Sequence, residues 1–435
     1  MKSILVTGLC TLHWGRLQYG NIGNYYIIEP LFQCLRKYFA NYEIITTFQM
    51  DKTFTDRENV RILPLELYYA WNQKDDLKNA MRDVEIAKKY MKKEKIISSP
   101  YIDALMECEY VVNVSGDMWG DNAEAVGHQR LLVDCLKMKT AQILKKKTIL
   151  YAVTPGPFSN VEQQELVKDV FESYNLVVIR EKISMRNLRN WGFSTDNVIW
   201  APCPSFLFTA NNGYQSYWTE WIEESKRKGR KVIGITFGGF NMPCGPYDMW
   251  PRPDEQYDVF VELAEYIVNG IMADIVVFSH TNGFELPPNF KLKNGRDFFI
   301  LEQFYKILMR KKLWYKQHII LIDEPLMPGD VKQVINQFDM LITGRVHASV
   351  ASTSQCIPTV FIEYERNVIY SDKMTGFSEQ LGMEEYVCVP SDLNMLKIKV
   401  KECFDKLPEI RMQLAERVGA IKERADQVFE EFKKV

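Results

Sequence analysis

The chain is expected to fold as an α/β protein of two Rossmann-like domains, and three observations lead there. Apolar strand-like runs alternate with helical segments almost throughout, the pattern of parallel sheets covered by helices. The alternation runs through the chain in two successive sets. Between the sets, residues 211–230, "NNGYQSYWTEWIEESKRKGR", begin polar and Gly-bearing and end charged. That break predicts a first domain at residues 1–212, a linker at 213–230, a second domain at 231–405 and a terminal helix at 406–435. A length of 435 residues fits two domains better than one at roughly 150 residues each.

The first set of strands reads "SILVTG" from 3, "YEIITTF" from 42, "YVVNVSG" from 110, "TILYAV" from 148, "LVVIR" from 176 and "NVIWA" from 197. Segments such as "AVGHQRLLVDCLKMKTAQILKK" carry apolar residues at helical spacing between them. The second set reads "KVIGITF" from 231, "DIVVFS" from 274, "HIILID" from 318, "DMLIT" from 339 and "PTVFIE" from 358. Two such halves joined once describe a GT-B-like arrangement, whose ligands sit in an interdomain cleft facing the carboxyl ends of both sheets. The last segment, "LPEIRMQLAERVGAIKERADQVFEEFKKV", is a charged amphipathic helix with no strand after it. It is expected to lie across the surface, with the first domain as one docking place. Residues 241–256 and 281–298 read as long loops at the cleft edge, where specificity is usually set.

Composition removes several classes of function. Lys and Arg total 54 against 56 Asp and Glu, a formal charge of −2, so nothing suggests a general nucleic-acid binder. The nine cysteines, at 10, 34, 108, 135, 203, 244, 356, 388 and 403, form no CxxC pair. Neither a zinc site nor a disulfide framework is expected, and a reducing cytoplasm fits. "MKSILVTGLC" reads as a first strand and not as a signal segment. No run approaches the ~18 apolar residues of a membrane span, which leaves peripheral membrane contact open.

The chemistry concentrates in "ITGRVHASVASTSQCIPTVFIEYE", residues 342–365. Arg345 and His347 follow a buried-looking strand and precede a short helix, whose free N–H groups favour anions. The plainer reading of such a pair is a surface ion pair or a helix cap. His280 stands at another strand end of the same half, where it either caps a turn or contacts a phosphate or an acceptor. Arg180, ending "LVVIR", offers a cation from the first half. Gly20, Asn21 and Gly23 would let backbone N–H groups approach a ligand, and Asn24 is expected to cap the next helix. No Asp-x-Asp pair or His/Cys cluster has metal-ligand spacing, so no metal and no cofactor are expected.

Six ordered stretches then carry a family resemblance. They are "GNIGN" at 20–24, "VNVSGDMWGD" at 112–121, "TPGPFS" at 154–159, "VVIREKIS" at 177–184, "LITGRVHASVAS" at 341–352 and "SDKMTGFSEQLG" at 371–382. Together they resemble the polysaccharide pyruvyl transferase family, most specifically through Gly-Arg-x-His-Ala followed by Lys-x-x-Gly-Phe. The resemblance implies the same two-domain fold and transfer of the enolpyruvyl unit of phosphoenolpyruvate onto a sugar, usually closing a cyclic ketal. It makes the first domain the acceptor side and the second the phosphoenolpyruvate side, and leaves the acceptor's carrier open between a lipid and a nucleotide.

A substrate bearing a carboxylate and a phosphate needs planar and point cations, which Arg345, Arg180 and Lys373 supply. Protonating its methylene carbon needs an acid near neutral pH. Histidine, with an ordinary pKa of ~6.5, fits, and His347 is the first choice. Gly116 and Asp117 enter through the "VNVSGD" motif. Glu363 is read as positioning ligand hydroxyls, orienting His347, or neither. Lys373 is read as a cleft cation or a solvated helix residue. Three departures from the family stand out: Asn24 where an Asp is usual, Pro155 before the Gly-Pro-Phe core, and Cys203 where an acidic residue is common. Cys203 reads as structural. The competing readings are a GT-B glycosyltransferase using a nucleotide sugar, and a sugar- or phosphate-binding relative without turnover.

Overall fold

The computed structural model describes residues 2–9, 20–64, 67, 75–160, 163–242, 249–284, 291–364 and 373–435. The chain forms two compact units, each gathered from separate stretches. Met1–Leu17, Ile27–Pro204 and Arg424–Val435 make the first, and Gln18–Tyr26 with Ser205–Glu423 make the second.

Seven parallel strands build the sheet of the first unit: β1 (Lys2–Thr7), β2 (Tyr42–Thr46), β3 (Val60–Ile62), β4 (Cys108–Asn113), β5 (Lys147–Val153), β6 (Leu176–Ile179) and β7 (Val198–Trp200). Their order is β3-β2-β1-β4-β5-β6-β7. In the second unit β8 (Val232–Thr236) and β9 (Asp274–Val277) precede a hairpin of β10 (Asn282–Phe284) and β11 (Leu292–Asn294). The strands β12 (Ile319–Leu321), β13 (Met340–Thr343), β14 (Thr359–Ile362) and β15 (Val387–Cys388) complete it. The six-stranded order is β12-β9-β8-β13-β14-β15, all parallel. Both sheets grow to one side of their first strand, through β3 and β12, and then add strands on its other side, the doubly wound arrangement. Central strands such as β8 and β13 are buried along their whole length, which is why they read as unbroken apolar runs and not as alternating ones.

The structure adds elements that the sequence pattern missed. β3 and β15, three and two residues long, are too short to show a period. The stretch read as a loop at 281–298 holds the β10–β11 hairpin and the start of the helix Arg296–Lys311. The supposed linker contains the helix Tyr217–Arg227, opened by a capping box between Ser216 and Thr219 and buried at Thr219, Ile222 and Ser225. Its charges mark an outer face. Residues 243–248 of the other expected loop, and 365–372 ahead of Lys373, lie outside the described residues.

The terminal helix spans Leu407–Lys434, and its last turns belong to the first unit. Asp426 there accepts hydrogen bonds from Lys37 Nζ at 2.7 Å and Tyr38 Oη at 2.6 Å. Phe429 is fully buried, stacked on Tyr38 and edge-on to Tyr151 at 5.3 Å. No helix among the described residues is long and apolar enough to cross a membrane.

Phe429→Ala is expected to destabilise the first unit by about 3–5 kcal/mol, the range for removing a buried aromatic ring. Urea unfolding checks this, and a loss under about 1 kcal/mol contradicts the packing described.

Candidate active site

The crevice of a doubly wound sheet opens where its strand order reverses, here between β8 and β13. Residue 345 leaves the carboxyl end of β13 as the cap of the helix Val346–Thr353. Its backbone N–H donates to Thr343 Oγ1 at 2.9 Å, and its guanidinium forms a buried ion pair with Asp297. Asp297 sits in the first turn of the helix Arg296–Lys311 and was not foreseen. Its only sequence signal is an acid after the Gly-Arg of "KNGRDF". The pair also explains Gly238, which follows β8: a Cβ there would lie 2.7 Å from Arg345 Nη2 and 2.8 Å from Asp297 Oδ1. Asn241 closes the loop, accepting from Gly238 N at 3.0 Å and donating to the Ile362 and Glu363 carbonyls at 3.3 and 3.4 Å.

The "GNIGN" segment packs with this second unit, although it was assigned to the first domain. Asn282 N donates to Gly20 O at 3.1 Å, and Asn21 forms an antiparallel bridge with Thr281. The capping role expected of Asn24 falls to Asn21: its Oδ1 accepts from Gly23 N at 2.9 Å and its carbonyl from Asn24 N at 3.0 Å. Asn24 therefore stands inside the first turn of the helix Ile22–Tyr38. Gly23 faces the His347 ring so closely that a Cβ would lie 2.7 Å from its Cγ. Phe377, of the Lys-x-x-Gly-Phe element, meets the same ring edge-on at 6.4 Å. His347 itself is half-buried, in the first turn of its helix, where free N–H groups attract anions.

His280 ends β9's loop, fully buried and edge-on to Tyr26 at 5.4 Å. Burial first, and the Arg345 charge second, hold its pKa down to about 3. It is neutral near pH 7, so it cannot serve as an acid there. His280 Nε2 and Asp297 Oδ2 are buried without a hydrogen-bond partner among the described residues, groups that a polar ligand would satisfy. Glu363, after β14, caps the helix Lys373–Leu381: Thr375 N and Oγ1 donate to it at 3.2 and 3.3 Å. It makes no hydrogen bond to His347 among the described residues, so the reading in which it orients His347 finds no contact here. Burial pushes its pKa up to about 7 despite those donors. Lys373 is buried too, its Nζ 5.9 Å from the Tyr364 ring centre, and is no solvated helix residue.

The first unit carries the remaining candidates at its own reversal point, between β1 and β4. Leu9 N donates to Ser115 Oγ at 3.0 Å, Ser115 Oγ to Asn113 Oδ1 at 2.6 Å, and Asn113 Nδ2 to Asp134 Oδ2 at 2.8 Å. This chain holds the loop bearing Gly116, which is left-handed at φ +57, and Asp117, whose carbonyl accepts from Asn122 Nδ2 at 2.7 Å. Arg180 is 2% exposed and donates to Thr154 Oγ1 at 2.7 Å, with Nη1 beside Gly116. It braces this loop from within. Cys203 is fully buried. Among the described residues no group of three or more His, Cys, Asp or Glu side chains is placed to hold a metal ion.

Two doubly wound units with their polar candidates at the reversal points define a protein of the GT-B fold class. The fold is similar to a UDP-GlcNAc 2-epimerase from Neisseria meningitidis bound to UDP-GlcNAc (TM-score 0.53, 11% identity, 100% of each chain covered). It is similar also to a glycosyltransferase from Rickettsia africae (0.52, 11%, 100% of this chain and 99% of that one) and to Anabaena HepE in complex with UDP and glucose (0.54, 10%, 100% of each). Identities this low speak for the fold alone. The polysaccharide pyruvyl transferase family model matches residues 21–366, and the chain belongs to that family.

Two outcomes test this geometry. Gly23→Ala is expected to displace the His347 ring, seen as a shift of one imidazole resonance among only five histidines; unchanged spectra would remove the contact. The second concerns pH. His280, with a folded pKa of about 3 below its unfolded value of ~6.5, contributes stability above pH ~6.5 that is lost as pH falls toward 3. Glu363 acts oppositely: a folded pKa of about 7 above an unfolded ~4.3 means stability is lost as pH rises across that window. Melting temperatures from pH 4 to 8 should show less acid loss in His280→Gln and less loss between pH ~4.5 and 7 in Glu363→Gln. Parallel curves for all three proteins would refute both assignments.

Proposed function

We propose that this protein transfers the pyruvyl group of phosphoenolpyruvate to a sugar, in the cytoplasm, closing a cyclic ketal across two hydroxyls. Family membership supports the reaction class. The observation that carries the reading is His347 in the first turn of its helix, two residues after Arg345 at the reversal point of the second sheet. Arg345, anchored by Asp297, offers a preorganised planar fork for the carboxylate or phosphate. Lys373 adds a point cation on the helix that follows β14.

The step balances as follows. His347, as imidazolium, gives its proton to the methylene carbon, and the C2 centre becomes oxocarbenium-like. One sugar hydroxyl attacks C2 and loses its proton, which restores the imidazolium. Phosphate then leaves with the bridging oxygen and takes the proton of the second hydroxyl as that oxygen closes the ketal. Asn24 can hydrogen-bond an acceptor hydroxyl but cannot remove its proton, so it serves to orient. No step draws on a metal ion or another cofactor. Release of inorganic phosphate from phosphoenolpyruvate, against release of nucleoside diphosphate from a nucleotide sugar, separates this reading from sugar transfer.

His347→Gln is expected to keep phosphoenolpyruvate binding while kcat falls ~10²-fold or more, the scale of a lost general acid. Deuterium incorporation into the product methyl group from heavy water measures the proton transfer itself. A variant that protonates carbon at the wild-type rate overturns the role.

A further inference from the structure

Beside the carboxyl edge of the first sheet lies a cavity of about 480 Å3 that the transfer reading does not use. Its floor is formed by Ile179 and Trp200, the last residues of β6 and β7, and its wall by the helix Ile183–Asn190. Three cations line it, Lys182, Arg186 and Arg189, and no carboxylate does. All three are exposed. Lys182 Nζ lies 4.7 Å from the Trp200 ring centre, and Arg189 Nε donates to the neutral Thr195 Oγ1 at 3.3 Å. None of the three makes an ion pair among the described residues.

Elsewhere in the chain exposed cations pair with carboxylates, as Lys37 does with Asp426 and Arg61 with Glu43. Here the spacing of i, i+4 and i+7 gathers like charges over about 10 Å of helix at 1.5 Å per residue, where they repel one another. Like charges held together without a counter-charge are the footprint of an anionic ligand. One phosphate satisfies one guanidinium fork; a row of three cations suits a longer anion. The pocket stands at the carboxyl ends of β6 and β7, away from the reversal point between β1 and β4, and in a different unit from Arg345 and His347.

We propose that this pocket binds the diphosphate of a diphosphate-linked sugar, the carrier end of the acceptor. The assignment rests on the transfer reading for the word acceptor only; diphosphate binding stands without it. The shared chemistry admits two sources, a nucleoside diphosphate or a polyprenyl diphosphate.

The test is titration calorimetry of the full chain with inorganic pyrophosphate, which needs no donor and so fails or succeeds apart from the transfer reaction. Wild type should bind, more weakly as salt rises, because the cations are exposed. Arg186→Gln with Arg189→Gln should weaken binding 10-fold or more at an unchanged melting temperature. Displacement of pyrophosphate by UDP supports the nucleotide source, and displacement by farnesyl diphosphate the lipid source. Absence of binding, or equal affinity in the double variant, overturns the site. So does binding to anionic vesicles that pyrophosphate fails to displace, since the patch would then read a membrane surface.

Discussion

A buried guanidinium organises the second unit. Taking Arg345 and Asp297 out of water costs several kcal/mol per ion, offset only when the pair is close and further hydrogen bonds hold it. The consequences run outward. Gly238 must lack a side chain because the two charged heads occupy its place. Asp297 N donates to Thr281 Oγ1 at 3.1 Å, and Thr281 bridges to Asn21, so the pair's support reaches the segment that confronts His347. His280, sharing this surrounding, is kept neutral by burial and by the same positive charge. Arg345, in its ion pair with Asp297, is the fixed post around which the loop ends are arranged.

The two units repeat one plan with different contents. Each places a glycine after its first strand, Gly8 and Gly238, and a polar loop after the strand added on the other side. In the first unit that loop is tied by neutral hydrogen bonds from Leu9 through Ser115 and Asn113 to Asp134. In the second it is tied by an ion pair. Asp134 is fully buried, and burial pushes its carboxyl up to about 6, so the first network sits near the border between charged and neutral forms. The two loops thus differ in the physical means that fixes each: neutral hydrogen bonds in the first unit and an ion pair in the second.

Much of this was legible in the sequence, and the failures have causes. The eleven strands read from apolar runs are all present, because strands buried on both faces keep continuous apolar composition. Arg345, His347, Gly20, Asn21 and Gly23 are gathered in the second unit, as "GRVHA" and "GNIGN" cannot show alone: the first half of the chain supplies the segment. Asp297 was missed because a lone acid in a helix's first turn is ordinary. Arg180, expected as a cleft cation, is buried and bonded to Thr154, a burial that nothing in "LVVIR" could show. The helix Tyr217–Arg227 was taken for a linker because its charged face outweighs its single buried isoleucine in composition.

The first unit's use of residues 424–435 bears on how the protein is made. Its first sheet is complete in sequence by Trp200, yet the apolar surface around Tyr38 and Tyr151 is covered by Phe429 and Phe432. More than two hundred residues of the second unit are synthesised in between. At roughly 5–20 residues per second, the nascent first half leaves the ribosome with that aromatic surface open for about 10–45 s. The stretch of greatest exposure to aggregation or to a holding chaperone is therefore built into the order of the chain, and ends only when the last helix emerges.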